Sequence, residues 1–229
     1  MDDLRFGKAI PCGCTASKLE EKRMSALLER SNLKSLGGKT FASFAPQDHQ
    51  QPAYNRAREF AENPDGWLVM LGSYGTGKTH LAAAIGNRRL ELGEPAVFVV
   101  APDLLDHLRS TFSPTSETTF DKLFESVRSA PLLILDDMGT QTTTQWASEK
   151  LFQILNYRYM NRLATIITTN VPLDDLGDRL ASRMADPELS IVVSIAGPDL
   201  RTARQSAGPR SGSAAAPRGA RPPTRTRPY

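Results

Sequence analysis

The stretch Gly72-Ser73-Tyr74-Gly75-Thr76-Gly77-Lys78-Thr79 lies between an apolar run and a helical one. It has a glycine, four residues and then Gly-Lys-Thr, the spacing of a phosphate-binding loop. Before it, Trp67-Leu68-Val69-Met70-Leu71 is the short continuous apolar run of a strand buried on both faces. After it, residues 78–92 carry helical periodicity that stops at Gly93. The residue types suit the chemistry. Glycines let the backbone wrap closely around phosphates with its N–H groups turned inward. A helix starting near Lys78 adds its positive dipole end. Lys78 supplies a cation to the β- and γ-phosphates, and the Thr79 hydroxyl is placed to ligate Mg²⁺. The bland alternative is a glycine-rich turn that binds nothing, and the strand and helix on either side weigh against it. The chain is read as binding a nucleoside triphosphate across residues 72–79.

Outward from the loop, strands and helices alternate. The pattern predicts helices over 18–30, 53–62, 78–92, 103–111, 120–129, 145–161 and 176–184, with a polar loop over 112–119. Strands are expected over 67–71, 96–100, 131–135, 164–169 and 190–195. Strands separated by helices of this length call for parallel pairing with right-handed crossovers, an α/β layered sheet. Two strand ends carry further chemistry. Asp136-Asp137 closes the third strand, where ligands of parallel sheets sit. Asp136 is assigned to the metal and Asp137 to the attacking water. Thr168-Thr169-Asn170 closes the fourth, and the Asn170 amide there is placed to bond a γ-phosphate or the lytic water. A turn cap before Val171-Pro172 is the plainer alternative.

Composition bounds the rest. At 229 residues, 40% hydrophobic and 23% charged, the chain fits one ordinary folded domain with short appendages. No run approaches 18 apolar residues, so no membrane-spanning helix is expected, and the start lacks the pattern of a secretory signal. Cys12 and Cys14 are too few and too close for a disulfide framework, which makes a reducing, cytoplasmic setting the expectation. Residues 202–229 hold six arginines and no acid, so the net charge of +3 leaves −3 for residues 1–201. That Arg/Pro-rich tail is too poor in apolar residues to offset its ordering entropy and is expected to be disordered.

Taken together, phosphate-binding loop, acid pair and strand-end asparagine resemble an AAA+ ATPase. Gly77-Lys78-Thr79-His80-Leu81-Ala82, Leu135-Asp136-Asp137-Met138-Gly139, Thr168-Thr169-Asn170 and Arg179-Leu180-Ala181-Ser182-Arg183 are similar to the DnaC/DnaI-type helicase loaders and the IstB-like transposition ATPases. The resemblance implies a P-loop three-layer α/β/α fold with a five-stranded parallel sheet in the order 5-1-4-3-2. It spans roughly residues 38–202, after an N-terminal stub of 1–37 and before the tail of 203–229. By the same resemblance Asn170 is the sensor of the γ-phosphate and Arg183 the arginine finger given to a neighbouring subunit, with Arg179 the lesser candidate. Arg201, in Pro198-Asp199-Leu200-Arg201, falls where such proteins place a second sensor arginine. Phe41 and Phe44 are candidates for an adenine pocket, although core packing suits either. The chain departs from the pattern twice. Pro11-Cys12-Gly13-Cys14 offers at most two zinc ligands where a structural site needs four, so a zinc site in this chain alone is not expected. A helical lid after the sheet is expected to be absent or minimal.

The function expected is therefore an ATP-hydrolysing, helicase-loader-like protein of DNA replication. It would use ATP and Mg²⁺, form an ATP-dependent homo-oligomer on single-stranded DNA, and have a replicative helicase, or a transposase, as partner. Turnover is expected to be weak outside the oligomer. Local basic groups, Arg88-Arg89 or Lys122 with Arg128, are the DNA contacts an acidic body could offer. A second class stays open: a truncated relative that binds ATP as an interaction protein without efficient hydrolysis. A small-molecule kinase is weaker, because the Thr168-Thr169-Asn170 strand end speaks against it.

Overall fold

The computed structural model describes residues 31–112, 119–139 and 144–197. The 18–30 helical pattern, Cys12, Cys14, most of the 112–119 loop, Arg201 and the 202–229 tail lie outside them. Among the described residues, helix α1 is Gln51–Glu62, followed by strand β1, Trp67–Leu71, and helix α2, Lys78–Glu91. Next come β2, Ala96–Val100, α3, Ala101–Ser110, and α4, Phe120–Arg128. The chain continues through β3, Leu132–Met138, α5, Gln145–Met160, β4, Thr165–Thr169, α6, Asp178–Met184, and β5, Ser190–Ser194.

The five strands form one parallel sheet in the order β2-β3-β4-β1-β5, the expected 5-1-4-3-2 read from the other edge. Alternation along the strands divides the core in two. Trp67, Val69, Val97, Leu133, Leu135 and Ile167 face α3, α4, α5 and α6. Leu68, Met70, Phe98, Ile134 and Ile166 face α1 and α2. A run such as Leu132-Leu133-Ile134-Leu135 is continuous in sequence because both faces are covered, which makes three layers. Leu33, in the 3-10 turn Asn32–Leu36, joins the second core, and the Ser31 hydroxyl accepts the Phe98 N–H on the β2 edge at 3.0 Å.

Most element limits fall within two residues of those expected, and the differences have local causes. Helices α1 and α3 begin two residues early because Pro52 and Pro102 are tolerated in a first helical turn. The expected 176–184 helix is split, with a 3-10 turn over Leu173–Leu176 and α6 starting after Gly177, whose φ is +89°. The largest difference is β3, which does not end at residue 135 but runs on through Met138. Leu135 pairs with Ile167 and Met138 with Thr169, so the register shifts between them and the acid pair sits in a bulge. Bulges re-aim side chains, and this one lies where the strand order puts chemistry.

Candidate functional site

Strands β3, β4 and β1 are neighbours, so their carboxyl ends bring Asp136-Asp137, Asn170 and the 72–79 loop side by side. The loop is fixed at both ends. The Gly72 N–H donates to the Thr169 carbonyl at 3.2 Å, and a Cβ on Gly72 would lie 2.4 Å from the Ile195 carbonyl oxygen. Gly77 takes the left-handed backbone at φ +100° as the residue before α2, and a Cβ there would meet the Phe44 ring at 2.7 Å. Only glycine satisfies the conformation and the contact together.

Within the loop the Lys78 ammonium is buried and donates to the carbonyls of Gly72 at 2.6 Å and Ser73 at 2.8 Å. Thr76 is fully buried, its hydroxyl donating to the Ser73 carbonyl at 3.0 Å. Tyr74, by contrast, is 58% exposed at the loop's tip. Two supports stand behind the loop. Phe44 packs on Gly77 and lies 5.0 Å from the His80 ring, while Gln50, wholly buried, donates through Nε2 to the Thr76 carbonyl at 2.9 Å. Phe44 stacks on Tyr54 and Phe41 meets Tyr54 edge-on, so both phenylalanines pack in or against the second core.

Across the site, Asp136 is 4% exposed and its Oδ1 accepts two hydroxyls, Thr79 at 3.1 Å and Thr168 at 2.6 Å. Burial pushes the Asp136 carboxyl above the usual aspartate value; the two hydroxyls and the nearby Lys78 charge oppose that rise, and Asp137 adds to it. A carboxylate held this way gains from a cation, so Thr79 and Asp136 suit a hard, oxygen-seeking ion such as Mg²⁺. Asp137 is partly exposed and adopts φ +58°, a left-handed conformation for a non-glycine residue. Its N–H donates to the Thr168 hydroxyl at 2.9 Å. Asn170 is the other signal: among the described residues its Oδ1 is buried without a hydrogen-bond partner, as is the Trp67 Nε1 in the core. Buried polar atoms are nearly always paired, so an unpaired one at the strand end beside the 72–79 loop is open to a ligand group. Cradle, cation, hydroxyl-held carboxylate and orphan amide fit a magnesium nucleotide.

The remaining arginines lie elsewhere. Arg183 is not gathered into this cluster. Its Nε and Nη2 donate to Asn156 Oδ1 at 3.1 and 2.8 Å, and its Nη1 donates to the Arg179 carbonyl at 2.8 Å. Its guanidinium also faces the Phe152 and Tyr159 rings at 4.9 and 5.4 Å, and Arg179 stacks on the same Phe152 at 3.6 Å. Arg88 is engaged with Glu62 and Glu91, and Arg89 with the carbonyls of Ala61 and Glu62, so this pair ties α2 to α1.

The sequence did not single out Thr168, Gln50 or Arg158. The last is fully buried and ties the amino ends of β3 and β4, donating to the carbonyls of Arg128, Ala130 and Ala164 and to the Thr165 hydroxyl. Burial lowers its pKa to about 9, which still leaves it charged at neutral pH. Nothing in the local sequence distinguishes these residues from surface polar positions; Thr168 alone stood in a strand-end motif.

Known proteins resemble this chain in sequence and fold. The sequence profile of the IstB-like ATP binding protein family matches residues 16–193. The replicative helicase loader DnaC of Buchnera aphidicola is 33% identical over 130 residues, 57% of this chain and 52% of that protein. The Escherichia coli loader is 30% identical over 140 residues, 60% of this chain and 57% of its own length. This chain thus spans about half the length of the curated relatives it matches. Among solved structures, a DnaC helicase loader superposes with a TM-score of 0.61 at 28% identity, covering 71% of this chain and 99% of that one. The replication initiator DnaA bound to AMPPCP and single-stranded DNA gives 0.62 at 26%, covering 69% and 50%. With the profile matching more than half of its length, the chain belongs to the IstB-like ATP binding protein family, within the AAA+ P-loop fold.

Proposed function

We propose that the chain binds and hydrolyses ATP and works as a helicase-loader-like ATPase of DNA replication, assembling on single-stranded DNA with a replicative helicase as partner. The observation that carries this is the convergence of the 72–79 cradle, the Thr79–Asp136 pair and the unpaired Asn170 Oδ1 at adjoining strand ends. Backbone N–H groups of residues 72–79 and the Lys78 ammonium bind the phosphates. Thr79 and Asp136 hold magnesium, which when bound neutralises phosphate charge. Asp137 orients the attacking water and takes its proton as the oxygen bonds the γ-phosphorus, the bond to the bridging oxygen breaks and ADP leaves. The Asn170 side chain bonds the γ-phosphate or that water. Arg183 stabilises charge in the site of a neighbouring copy, and Arg201 contributes a second sensor contact to the nucleotide.

An exposed aromatic supports the single-strand reading. Phe112, 64% exposed, stacks on Phe120 at 5.2 Å and Phe120 on Phe124 at 5.3 Å, with Lys150 over the latter two rings, which are themselves partly buried against the first core. Arg109 lies 5.0 Å over Trp146 nearby in the same layer of helices. Aromatic faces flanked by cations bind unpaired bases whatever their sequence. The test is ATP turnover with and without single-stranded DNA, beside Lys78→Ala. DNA-stimulated turnover lost in the variant is expected, and equal turnover in both proteins would end the ATPase assignment. A second reading, a transposition helper acting with a transposase, rests on the resemblance to IstB-like proteins. Which partner co-purifies with the protein separates the two.

A further inference from the structure

We infer that Thr168 is a positioning residue that sets both acids of the site through one hydroxyl. The hydroxyl is 1% exposed by residue and is used in both directions. It donates to Asp136 Oδ1 at 2.6 Å and accepts the Asp137 N–H at 2.9 Å. The first bond, together with that from Thr79, places two hydroxyls on the same carboxylate oxygen. That leaves Oδ2 as the Asp136 oxygen engaged by neither hydroxyl. The second bond holds a residue in the left-handed backbone region, Asp137 at φ +58°. An aspartate in that conformation persists when its surroundings determine it.

The bulge explains why a β4 residue can do this. Between the Leu135–Ile167 and Met138–Thr169 pairs, β3 has two residues, Asp136 and Asp137, where β4 has only Thr168. In this irregular stretch the Asp137 N–H donates to a side-chain oxygen, that of Thr168. Thr168 lies on β4 and Asn170 is the residue just past its end, two positions on in the chain. A shift of the β4 end that follows a γ-phosphate at Asn170 reaches both acids through this hydroxyl. Valine has the same shape but no hydroxyl, while serine keeps the hydroxyl.

Ligand-free protein supplies the first readout. Hydrogen exchange of the Asp137 N–H should quicken at least about tenfold in Thr168→Val, the factor expected for loss of one buried hydrogen bond, and return toward wild type in Thr168→Ser. The second readout is the Mg²⁺ concentration that half-saturates fluorescent ATP-analogue binding. It should rise about tenfold in the valine variant and not in the serine one. Should valine not fold, Thr168→Ala removes the same hydroxyl with less bulk. A threonine that only packs would lower the melting temperature and leave Asp137 exchange and the Mg²⁺ midpoint unchanged, and that result overturns the inference. Because Thr168 acts this way only if residues 72–79 and Asp136 hold a nucleotide and its metal, Lys78→Ala is measured alongside. Unaltered nucleotide binding in Lys78→Ala sinks the site itself, whereas unaltered Thr168 variants sink only the role of Thr168.

Discussion

At Gly77 one hydrogen atom separates a working loop from a strained one. Its φ of +100° costs an L-residue about 1–2 kcal/mol, and an added methyl would press on the buried Phe44 ring at 2.7 Å. Gly77→Ala should therefore lose about 2 kcal/mol or more in urea unfolding and weaken ATP-analogue binding in the same step. Asp136 carries the opposite trade. Its carboxyl titrates above the ordinary value chiefly because it is buried, so ionising it works against the fold. The sign follows. The folded state binds this proton more tightly than the unfolded one, and stability present below the unfolded pKa is lost as pH rises through the folded one. Asp136→Asn should accordingly raise the melting temperature of the ligand-free protein at pH 7, with the gain shrinking as the pH falls through the raised pKa and gone below the ordinary aspartate value. The same variant should lose Mg²⁺-dependent nucleotide binding. A lower melting temperature at pH 7 would contradict the assigned cause. These two positions were visible in sequence because spacing alone, Gly-Lys-Thr after glycine and two acids after an apolar run, marked them.

Between elements, the sheet is tied at its two ends by different means. At the carboxyl ends the ties are the Thr79–Asp136–Thr168 hydroxyl bonds, where a ligand can exchange with them. At the amino ends the tie is Arg158, a buried cation from α5 whose donors reach carbonyls before both β3 and β4. Arg158→Ala removes a side chain whose loss leaves several buried carbonyls without a donor. It should cost about 3–5 kcal/mol in chemical denaturation while the folded fraction keeps its nucleotide affinity. A cost under about 1 kcal/mol would mean that water replaces the guanidinium there. Helix α5 also orients Arg183, since Asn156 Oδ1 takes two of its donors and Phe152 and Tyr159 flank its plane. Helix periodicity revealed α5 itself. That its polar residues 156 and 158 serve an arginine on α6 and the ends of two strands was hidden, because a 3.6-residue repeat marks a face and not the neighbour it meets.

For the molecule as a whole, the three layers leave Arg183 held on the α5–α6 surface instead of in its own chain's Asp136 cluster. The finger role proposed for Arg183 requires that it serve another copy, and mixing tests this directly. Lys78→Ala and Arg183→Ala should each be nearly inactive alone, and an equal mixture should regain turnover, since Lys78→Ala copies can give their Arg183 to sites with an intact Lys78. A mixture no more active than its parts would return Arg183 to a purely structural role. Among the described residues no helix is long and apolar enough to cross a membrane.

The sequence by itself determined the layered parallel sheet, the phosphate cradle and the acids that face it. Burial on both faces writes continuous apolar runs, and a backbone cradle demands glycines at set intervals, so both leave marks in short windows of chain. Only the tertiary structure decided that β3 bulges at Asp136-Asp137, that Thr168 serves both acids, that Gln50 and Phe44 brace the loop and that Arg158 clamps the far end. Most of those contacts join residues 26 to 33 positions apart in the chain, brought together by strand order and packing. A polar side chain looks the same in sequence whether water or a buried carbonyl will be its partner.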